Sequence, residues 1–582
     1  MKQLTSYLTL TLLLFISILA KTFAQPGTLD PTFGTGGIVI TDITNNNDRG
    51  FSVVQQPDGK LLVAGFSNNG TNNDFAVTRY NINGTLDNGW GTTGIVTTPI
   101  GSGDDHGQCV IVQPDNKVVV AGFSNNGSNM DFAVVRYLPN GTLDTSFNST
   151  GKVTTPIGPG ADQGHSVVIQ TDGKLVVVGL SNDGTSHNFA VVRYNSNGSL
   201  DNTFNGTGIV TTDFVNAEDV ARSVALQTDG KIVVGGWSNN GVDFDFALAR
   251  YNTNGTLDNT FDIDGKVAID HGIPEQGYSI AIQPDDKIVL AGTASSPGNI
   301  DFKVDRYNTN GTLDLTFDTD GWLTTDFLAG NDFGYSLAIQ DDGKLLVAGQ
   351  CVNGSDTDFG LARYNTDGSL DLSFDTDGLV TTNLGGTGDV GWSVAIQSDD
   401  KVVVAGSNQP SSSAFGTVRY NVCELIDTTI TFIDYTAMSN ETGNYNYQWL
   451  YCDTVYTPIT GEVSSMYTPM HGGVYALAIY MDFCSDTTSC IYMIGAGIDE
   501  NNFSDMVNVY PNPGDGPLYI NTALPMQDAS IYIYTVSGKL VYSQTSLNGN
   551  NAVINLENVS KGVYILEIQQ GGYVARKKII RR

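Results

Sequence analysis

Positive charge is scarce in this sequence: 28 lysines and arginines stand against 61 aspartates and glutamates, a formal net charge of −33. Such a chain repels phosphate backbones and anionic headgroups, so nucleic acid is not expected among its partners. Charged residues of either sign make up only 15% of the chain, too few for long solvent-exposed helices. Histidines are also few. His106, His165, His187, His271 and His471 show no metal-ligand spacing such as HExxH, and there is no Gly-x-Ser-x-Gly elbow and no glycine-rich phosphate loop after a strand. No catalytic residue, metal site or cofactor is therefore assigned. Beyond the first two dozen residues no apolar run approaches the ~20 residues that span a bilayer, so no transmembrane segment is expected in the mature chain.

What is abundant is glycine, at 67 residues, with Asn, Asp, Thr and Val crowding the chain and aromatics at 10%, a composition of short strands and turns. At 582 residues the chain is too long for one core, since cores stop growing near roughly 250–300 residues. Lys2, the apolar run Leu8 to Ala20 and the small residues of Thr22-Phe23-Ala24 read as a signal peptide over 1–24, cleaved before Gln25. The acidity is uneven, because residues 499 to 582 carry seven acids and seven bases and the excess precedes them.

Internal periodicity governs the next 400 residues or so. Leu-Asp recurs with its acid at Asp30, Asp87, Asp144, Asp201, Asp258, Asp314 and Asp371, and Arg-Tyr with its base at Arg79, Arg136, Arg193, Arg250, Arg306, Arg363 and Arg419. Each unit holds four strand-like runs, as in Gly37-Ile-Val-Ile-Thr, Phe51 to Gln56, Lys60 to Phe66 and Phe75 to Tyr80, separated by Gly, Asn and Asp clusters. Four antiparallel strands make a propeller blade. The last copy stops after Phe415 to Tyr420, one strand short, and the chain begins with one spare, so Gly37 to Thr41 should complete the last blade and close a seven-bladed ring over 25–420. The whole is read as all-β, a propeller closed by its N-terminal strand and followed by two small β-sandwich domains.

The recurring pattern of Leu-Asp-x-Thr-Phe, Ser-Val followed by Gln-x-Asp-Gly-Lys, and Asp-Phe-Ala before Arg-Tyr resembles the delta-sixty repeat, a β-propeller family that brings a fold and no assigned activity. Two copies depart from it. The last has Ala414-Phe415-Gly416, and the fifth carries Lys303 and Asp305 on its strand, so less regular packing is expected there.

Residues repeated in every copy are read as structural. Gln56 and its equivalents close the inner strand, Phe33, Trp90, Phe147, Phe204, Phe261, Phe317 and Phe374 fill gaps between blades, and the Arg-Tyr arginines form inter-blade ion pairs with nearby carboxylates. A ring of acids, Asp48, Asp105, Asp162, Asp219, Glu275, Asp332 and Asp389, stands four residues before the Ser or Cys of the inner strand and is expected around one mouth of the channel. It would accept backbone N–H bonds or, alternatively, hold cations or a basic partner. Just before that Ser or Cys the residue changes from copy to copy: Phe51, Gln108, His165, Arg222, Tyr278, Tyr335 and Trp392. This constant frame with a variable aromatic and polar rim is the candidate binding surface for a glycan or protein. Calcium is a minor possibility at Asp262 with Asp264, Asp318 with Asp320, and Asp375 with Asp377, where Asp-Xaa-Asp-Gly begins a calcium loop but no glutamate follows at EF-hand spacing.

From 421 to 497 the period is lost. Tyr445 to Trp449, Tyr467 to Pro469 and Gly473 to Ala476 read as strands of a sandwich that resembles the immunoglobulin-like modules of exported Bacteroidetes-type proteins. Cys423, Cys452, Cys484 and Cys490 suit two disulfides of open pairing, while Cys109 and Cys351 stay thiols. After a linker over 498–508, residues 509–582 hold Tyr510-Pro511-Asn512-Pro513, strand-like runs at Ser530 to Tyr534 and Val536 to Val541 (with Gly538 and Lys539), Gly562 and Tyr564, and the basic pair Lys577 and Lys578. These motifs resemble the type A sorting domain of the type IX secretion system. That resemblance implies Sec export, handling by the outer-membrane type IX machinery, and release or surface attachment. The expectation is a monomeric binding and adhesion scaffold. The rival is a secreted carbohydrate-active enzyme using His165, Arg222 and Glu275 on the channel face.

Overall fold

The computed structural model describes residues 26–215, 218–296, 298–328, 330–354, 356–409, 413–422, 429–433, 436–440, 445–452, 456–481, 484–493, 506–570 and 573–582. The leader over 1–24, Cys423 and most of the linker lie outside the described residues. Two compact units are present, Met1–Leu425 and Ile426–Arg582.

The first unit consists of seven four-stranded antiparallel sheets. In the first repeat the strands are Asp48–Gln55, Leu61–Asn68, Asn73–Tyr80 and Ile95–Thr98, in that order across the sheet. The inner strands pack on one another in sequence, and Asp48–Gln55 packs on Val390–Ile396, so the circle closes. The seventh sheet takes Val390–Ile396, Val402–Asn408 and Ala414–Tyr420 from the end of the repeats and Ile38–Thr41 from their beginning. The second strand of each blade is covered on both faces by its neighbours, which is why Leu61 to Phe66 is a continuous apolar run with no alternation.

Every inner strand carries a β-bulge. In the first blade Gly50 pairs with Gly65 and Ser52 with Ala64, leaving Phe51 unpaired, and the same shift recurs in the other six. A Cβ at Gly65 would overlap the Arg49 carbonyl, so the partner strand needs glycine opposite the bulge. Between blades, Val110 N–H donates to Ser52 Oγ at 3.1 Å, and Val53 N–H to Ser393 Oγ at 3.1 Å across the closure. Tyr137 and Tyr194 hydroxyls reach Thr98 and Thr155 of the preceding blade at 2.8 and 2.6 Å. Phe33 and its six equivalents are fully buried, and Gly84 of the neighbouring blade lies against Phe33, where a side chain would not fit.

The arginines do pair, but mainly within the repeat: Arg79 Nε donates to Asp87 Oδ2 at 2.9 Å, while Nη1 reaches the Pro139 carbonyl of the next blade at 3.0 Å. The inter-blade link is thus a guanidinium to carbonyl bond rather than an ion pair. The turn lysine joins each pair, as Lys60 does at 2.9 Å from Asp87. The two irregular copies are not loosely packed. Ala414–Tyr420 keeps full register, and Lys303 and Asp305 are wholly buried on an unbroken strand.

In the second unit, Ile430–Ile433, Thr436–Ser439 and Met466–Tyr467 form one sheet, and a second is built on Asn446–Tyr451 and Gly473–Met481; Trp449, Tyr475, Leu477 and Ile479 supply core. Cys452 and Cys490 form a disulfide. Cys484 lies on strand Cys484–Thr487, its side chain outside the described residues. Cys109 and Cys351 are free thiols. A further five-stranded sheet comprises Val507–Tyr510, Leu518–Thr535, Leu540–Ile554, Gly562–Gln570 and Tyr573–Arg581. Val536 to Lys539, expected to begin a strand, is instead the turn between two of these, with Gly538 at φ +84°. Among the described residues no helix is long and apolar enough to cross a membrane.

Candidate functional site

The bulge determines where the variable side chains go. Leaving one residue unpaired re-aims it, and at all seven positions the copy-specific residue turns into the lumen beside the inner-strand Ser or Cys. The seven expected rim residues are therefore brought together, but as the lining of one cavity of about 340 Å³ rather than as a rim. Its aromatic arc runs from Phe51 to Trp392 (ring centroids 5.5 Å apart), Trp392 to Tyr335 (4.3 Å) and Tyr335 to Tyr278 (5.0 Å). Arg222 lies 4.7 Å over Trp237 and 5.5 Å from the Tyr278 ring. His165 donates from Nδ1 to the Ala221 carbonyl at 2.7 Å; burial, then the nearby Arg222 charge, hold its pKa far below the usual range and keep it neutral. Gln108 completes the set.

The acidic ring does not stand around the mouth. Its carboxylates are buried at 0–1% exposure and turn back onto the preceding loop, where they accept backbone N–H groups. Asp48 binds Ile43 N–H at 2.7 Å, Asp105 binds Ile100 N–H at 2.7 Å, and Asp162, Asp219, Asp332 and Asp389 repeat the contact at 2.7 to 2.9 Å. The chain must reverse before entering the inner strand, and these acids satisfy the N–H groups left over.

Glu275 departs from this pattern. Lys303 Nζ lies 3.0 Å from Glu275 Oε1 and 3.0 Å from Asp305 Oδ1, and His271 Nδ1 lies 3.1 Å from Glu275. Trp322 lies under the ammonium at 3.9 Å. Tyr307 finds Ile269 where other blades offer threonine, and its hydroxyl donates to Asp305 Oδ2 at 2.9 Å instead. Of the three residues suggested for an enzyme, His165 and Arg222 therefore share the cavity, and Glu275 lies apart in a blade interior, since it does not line the cavity.

The Asp-Xaa-Asp-Gly segments are turns, with positive φ at Asp262, Asp318 and Asp375 and with Asp264, Asp320 and Asp377 each accepting the N–H two residues on. A hollow of about 500 Å³ lies at the turn side of the ring closure, but its cations are already paired: Lys401 with Asp30 at 3.2 Å and Lys60 with Asp87.

Sequence reasoning missed the residues directly after the ring acids, which also line up with aromatics. His106 stacks between Phe66 and Phe123 at 4.4 and 4.9 Å, and burial lowers its pKa to about 4. The signal was available, because this position varies from Arg49 to His106, Gln163 and Val220 within an otherwise constant frame.

In the C-terminal module, Asn512 clamps the Tyr-Pro-Asn-Pro segment onto the last strand. Its Nδ2 donates to the Lys578 carbonyl at 2.7 Å and its Oδ1 accepts Ile580 N–H at 2.9 Å. Tyr564 is buried, its hydroxyl donating to the Ser560 carbonyl at 2.7 Å. Tyr510 and Lys578 are exposed, and Lys577 is half-buried.

Comparison with known proteins supplies two family matches. Residues 56–89, 113–147, 170–204, 227–261, 283–317 and 340–374 match a β-propeller domain of unknown function (DUF5122). Residues 508–582 match the secretion system C-terminal sorting domain. No curated protein matches the chain. Among solved structures, the polysaccharide lyase Uly1 shares 11% identity over 64% of this chain and 90% of its own, with a TM-score of 0.40. Drosophila Semaphorin 1b shares 10% over 68% and 87% at 0.36, and Sqt1 from Chaetomium thermophilum 12% over 79% and 100% at 0.27. Likeness this low carries no argument about activity. The chain is a secreted or outer-membrane surface-attached protein that joins six matched repeats of the DUF5122 β-propeller family to a type IX secretion sorting domain.

Proposed function

We propose that this protein is an exported binding and adhesion scaffold, delivered by the type IX machinery, with the propeller lumen as its ligand-binding platform. The observation that supports it is the gathering of seven side chains of six kinds into one cavity whose surrounding frame is repeated. A repeat that served only as a structural ring would have little reason to vary at the positions that line its lumen. In this reading residues 1–24 are a signal peptide, 25–420 the propeller, 421–497 an immunoglobulin-like module and 509–582 the sorting domain, and the protein works as a monomer without a cofactor. Calcium at the Asp-Xaa-Asp-Gly turns is the one ion worth a titration, and heat on calcium addition would add it. Binding is preferred over the carbohydrate-active enzyme because, among the described residues, no carboxylate lines the cavity to serve as acid or base.

The test is a glycan array and turnover screen on the mature protein, beside Trp392→Ala and Tyr335→Ala. Binding without product, weakened by both variants, is the expected result. Product formation would favour the enzyme, and binding indifferent to both variants would remove the lumen from the reading.

A further inference from the structure

Of the residues lining the lumen cavity, Arg222 alone carries a charge, since His165 is held neutral. The contrast with the other buried arginines is sharp. Each Arg-Tyr arginine has its carboxylate, as Arg136 does at 2.8 Å from Asp144, whereas no acid among the described residues lines this cavity. Arg222 Nε is buried and has no hydrogen-bond partner among the described residues. The indole Nε1 of Trp392, which lines the same cavity, is a second buried donor in the same state. A half-buried cation without a carboxylate partner is costly, and the five other positions besides His165 show that neutral residues fit the same place. Arg222 is thus the one charged side chain lining a space of about 340 Å³, beside an aromatic arc.

The surroundings narrow what would fill it. Trp237 and Tyr278 pack against the guanidinium at 4.7 and 5.5 Å, and a guanidinium lining such a cavity suits a carboxylate, which it can bind in bidentate fashion. Tyr278, Tyr335 and Trp392 line the cavity with aromatic surface that suits a sugar ring, and Gln108 with the inner-strand hydroxyls offers bonds to its hydroxyls. We propose that Arg222 anchors the carboxylate of an acidic saccharide, one containing uronic acid, with the pyranose lying against the aromatic arc. This rests on the lumen being a ligand site and goes further by naming the class. The overall negative charge does not forbid it, because distant surface charges are screened beyond roughly 8 Å at physiological ionic strength.

Galacturonate and glucuronate trisaccharides, galactotriose and benzoate are titrated into the full mature protein by calorimetry, with tryptophan fluorescence reporting on Trp392. Melting curves verify that each variant is folded. At least one acidic trisaccharide should bind, and Arg222→Gln should weaken it on the order of 10- to 100-fold. Arg222→Lys should fall between, keeping the charge but losing the fork, and galactotriose should bind weakly and ignore both changes. Equal binding of galactotriose and the acidic sugars, untouched by Arg222→Gln, would overturn the charge anchor yet leave the lumen as a binding platform. Benzoate held through Arg222 with no acidic saccharide bound would overturn the saccharide class. No response to any probe, in calorimetry or fluorescence, would overturn the proposal, and failure of the glycan array as well would take the lumen reading with it.

Discussion

Arg419 Nε donates to Asp30 Oδ2 at 2.8 Å, joining positions separated by 389 residues. The same bond that in other repeats spans eight residues here closes the ring. Both residues are 2% exposed, and Lys401 adds a second cation at 3.2 Å.

Asp30→Ala therefore leaves a buried guanidinium unpaired at the seam, and a loss of about 3–5 kcal/mol is expected. The equivalent Asp201→Ala breaks an equally buried pair inside a blade. If the seam is what holds the ring, Asp30→Ala should also raise hydrogen exchange in both Ile38–Thr41 and Ala414–Tyr420, whereas Asp201→Ala should act on its own blade alone. Equal exchange patterns for the two variants would mean that the closure has no special role.

The pH dependence of stability follows from two opposed sets of acids. Burial raises the pKa values of Asp144, Asp258, Asp314 and Asp371, but hydrogen bonds from the residue two positions on and the neighbouring arginine prevail and bring them down to about 2. A carboxyl with a depressed folded pKa gives stability that is complete above about pH 4 and is lost as the pH falls toward 2. Asp245 runs the other way, pushed up to about 6 by burial and by Asp270, Asp243 and Glu275 against the bond from Asn240. It weakens the fold at neutral pH, and stability should rise as the pH drops from about 7 to 4. Melting temperature should thus peak between about pH 4 and 6. Asp245→Asn, a residue the third repeat already carries at Asn188, should raise neutral-pH stability by roughly 1 kcal/mol and flatten that arm. An unchanged arm would show that Asp245 is ionised without penalty.

In the fifth blade, Lys303 neutralises two buried acids at once. Lys303→Met should cost about 3–5 kcal/mol by urea denaturation, since Glu275 and Asp305 are then buried without a cation. Rebuilding the common pattern with Lys303→Ala, Asp305→Val, Glu275→Asp and Ile269→Thr together should restore most of that stability, because most other blades pack small or apolar residues there and give the tyrosine hydroxyl a threonine partner. If the fourfold change were as damaging as the single one, the charged cluster would be needed for something beyond pairing.

Most of the architecture could be read from the sequence because repetition multiplies weak signals. One short run of alternating residues is ambiguous, but seven copies in phase fix strand order, and the unequal chain ends then dictate how Ile38–Thr41 pairs. The candidate site was half legible. Variation at Phe51, Gln108 and their equivalents marked the positions, yet a one-residue bulge, which no composition rule announces, sent those side chains into the lumen. The ring acids misled for a related reason: a recurring carboxylate reads as a charged surface until one knows that Ile43 and Ile100 N–H groups are waiting for it. Ile269 in place of threonine is a single change whose consequence, a Tyr307 hydroxyl turned to Asp305, appears only in three dimensions.

The sorting domain yields the last prediction. Asn512 ties its loop to the final strand by two hydrogen bonds, and Gly514 N–H adds a third to the Ile580 carbonyl at 3.1 Å. The exposed Tyr510 and Lys578 are thereby presented from one clamped edge. Deleting residues 508–582 should leave the protein in the periplasm, as loss of the matched sorting domain implies. Asn512→Ala removes only the clamp, whose two bonds are worth about 1 kcal/mol each. It should lower secretion several-fold while the rest of the domain stays folded, whereas Asn548→Ala, which gives up exposed bonds to Asp528 N–H and the Ser546 carbonyl away from that edge, should leave secretion unchanged. Cell fractionation and surface protease accessibility read both variants. Full surface delivery of the deletion would show that the route does not depend on this domain, and full delivery of Asn512→Ala alone would show that the edge is recognised without being held rigid.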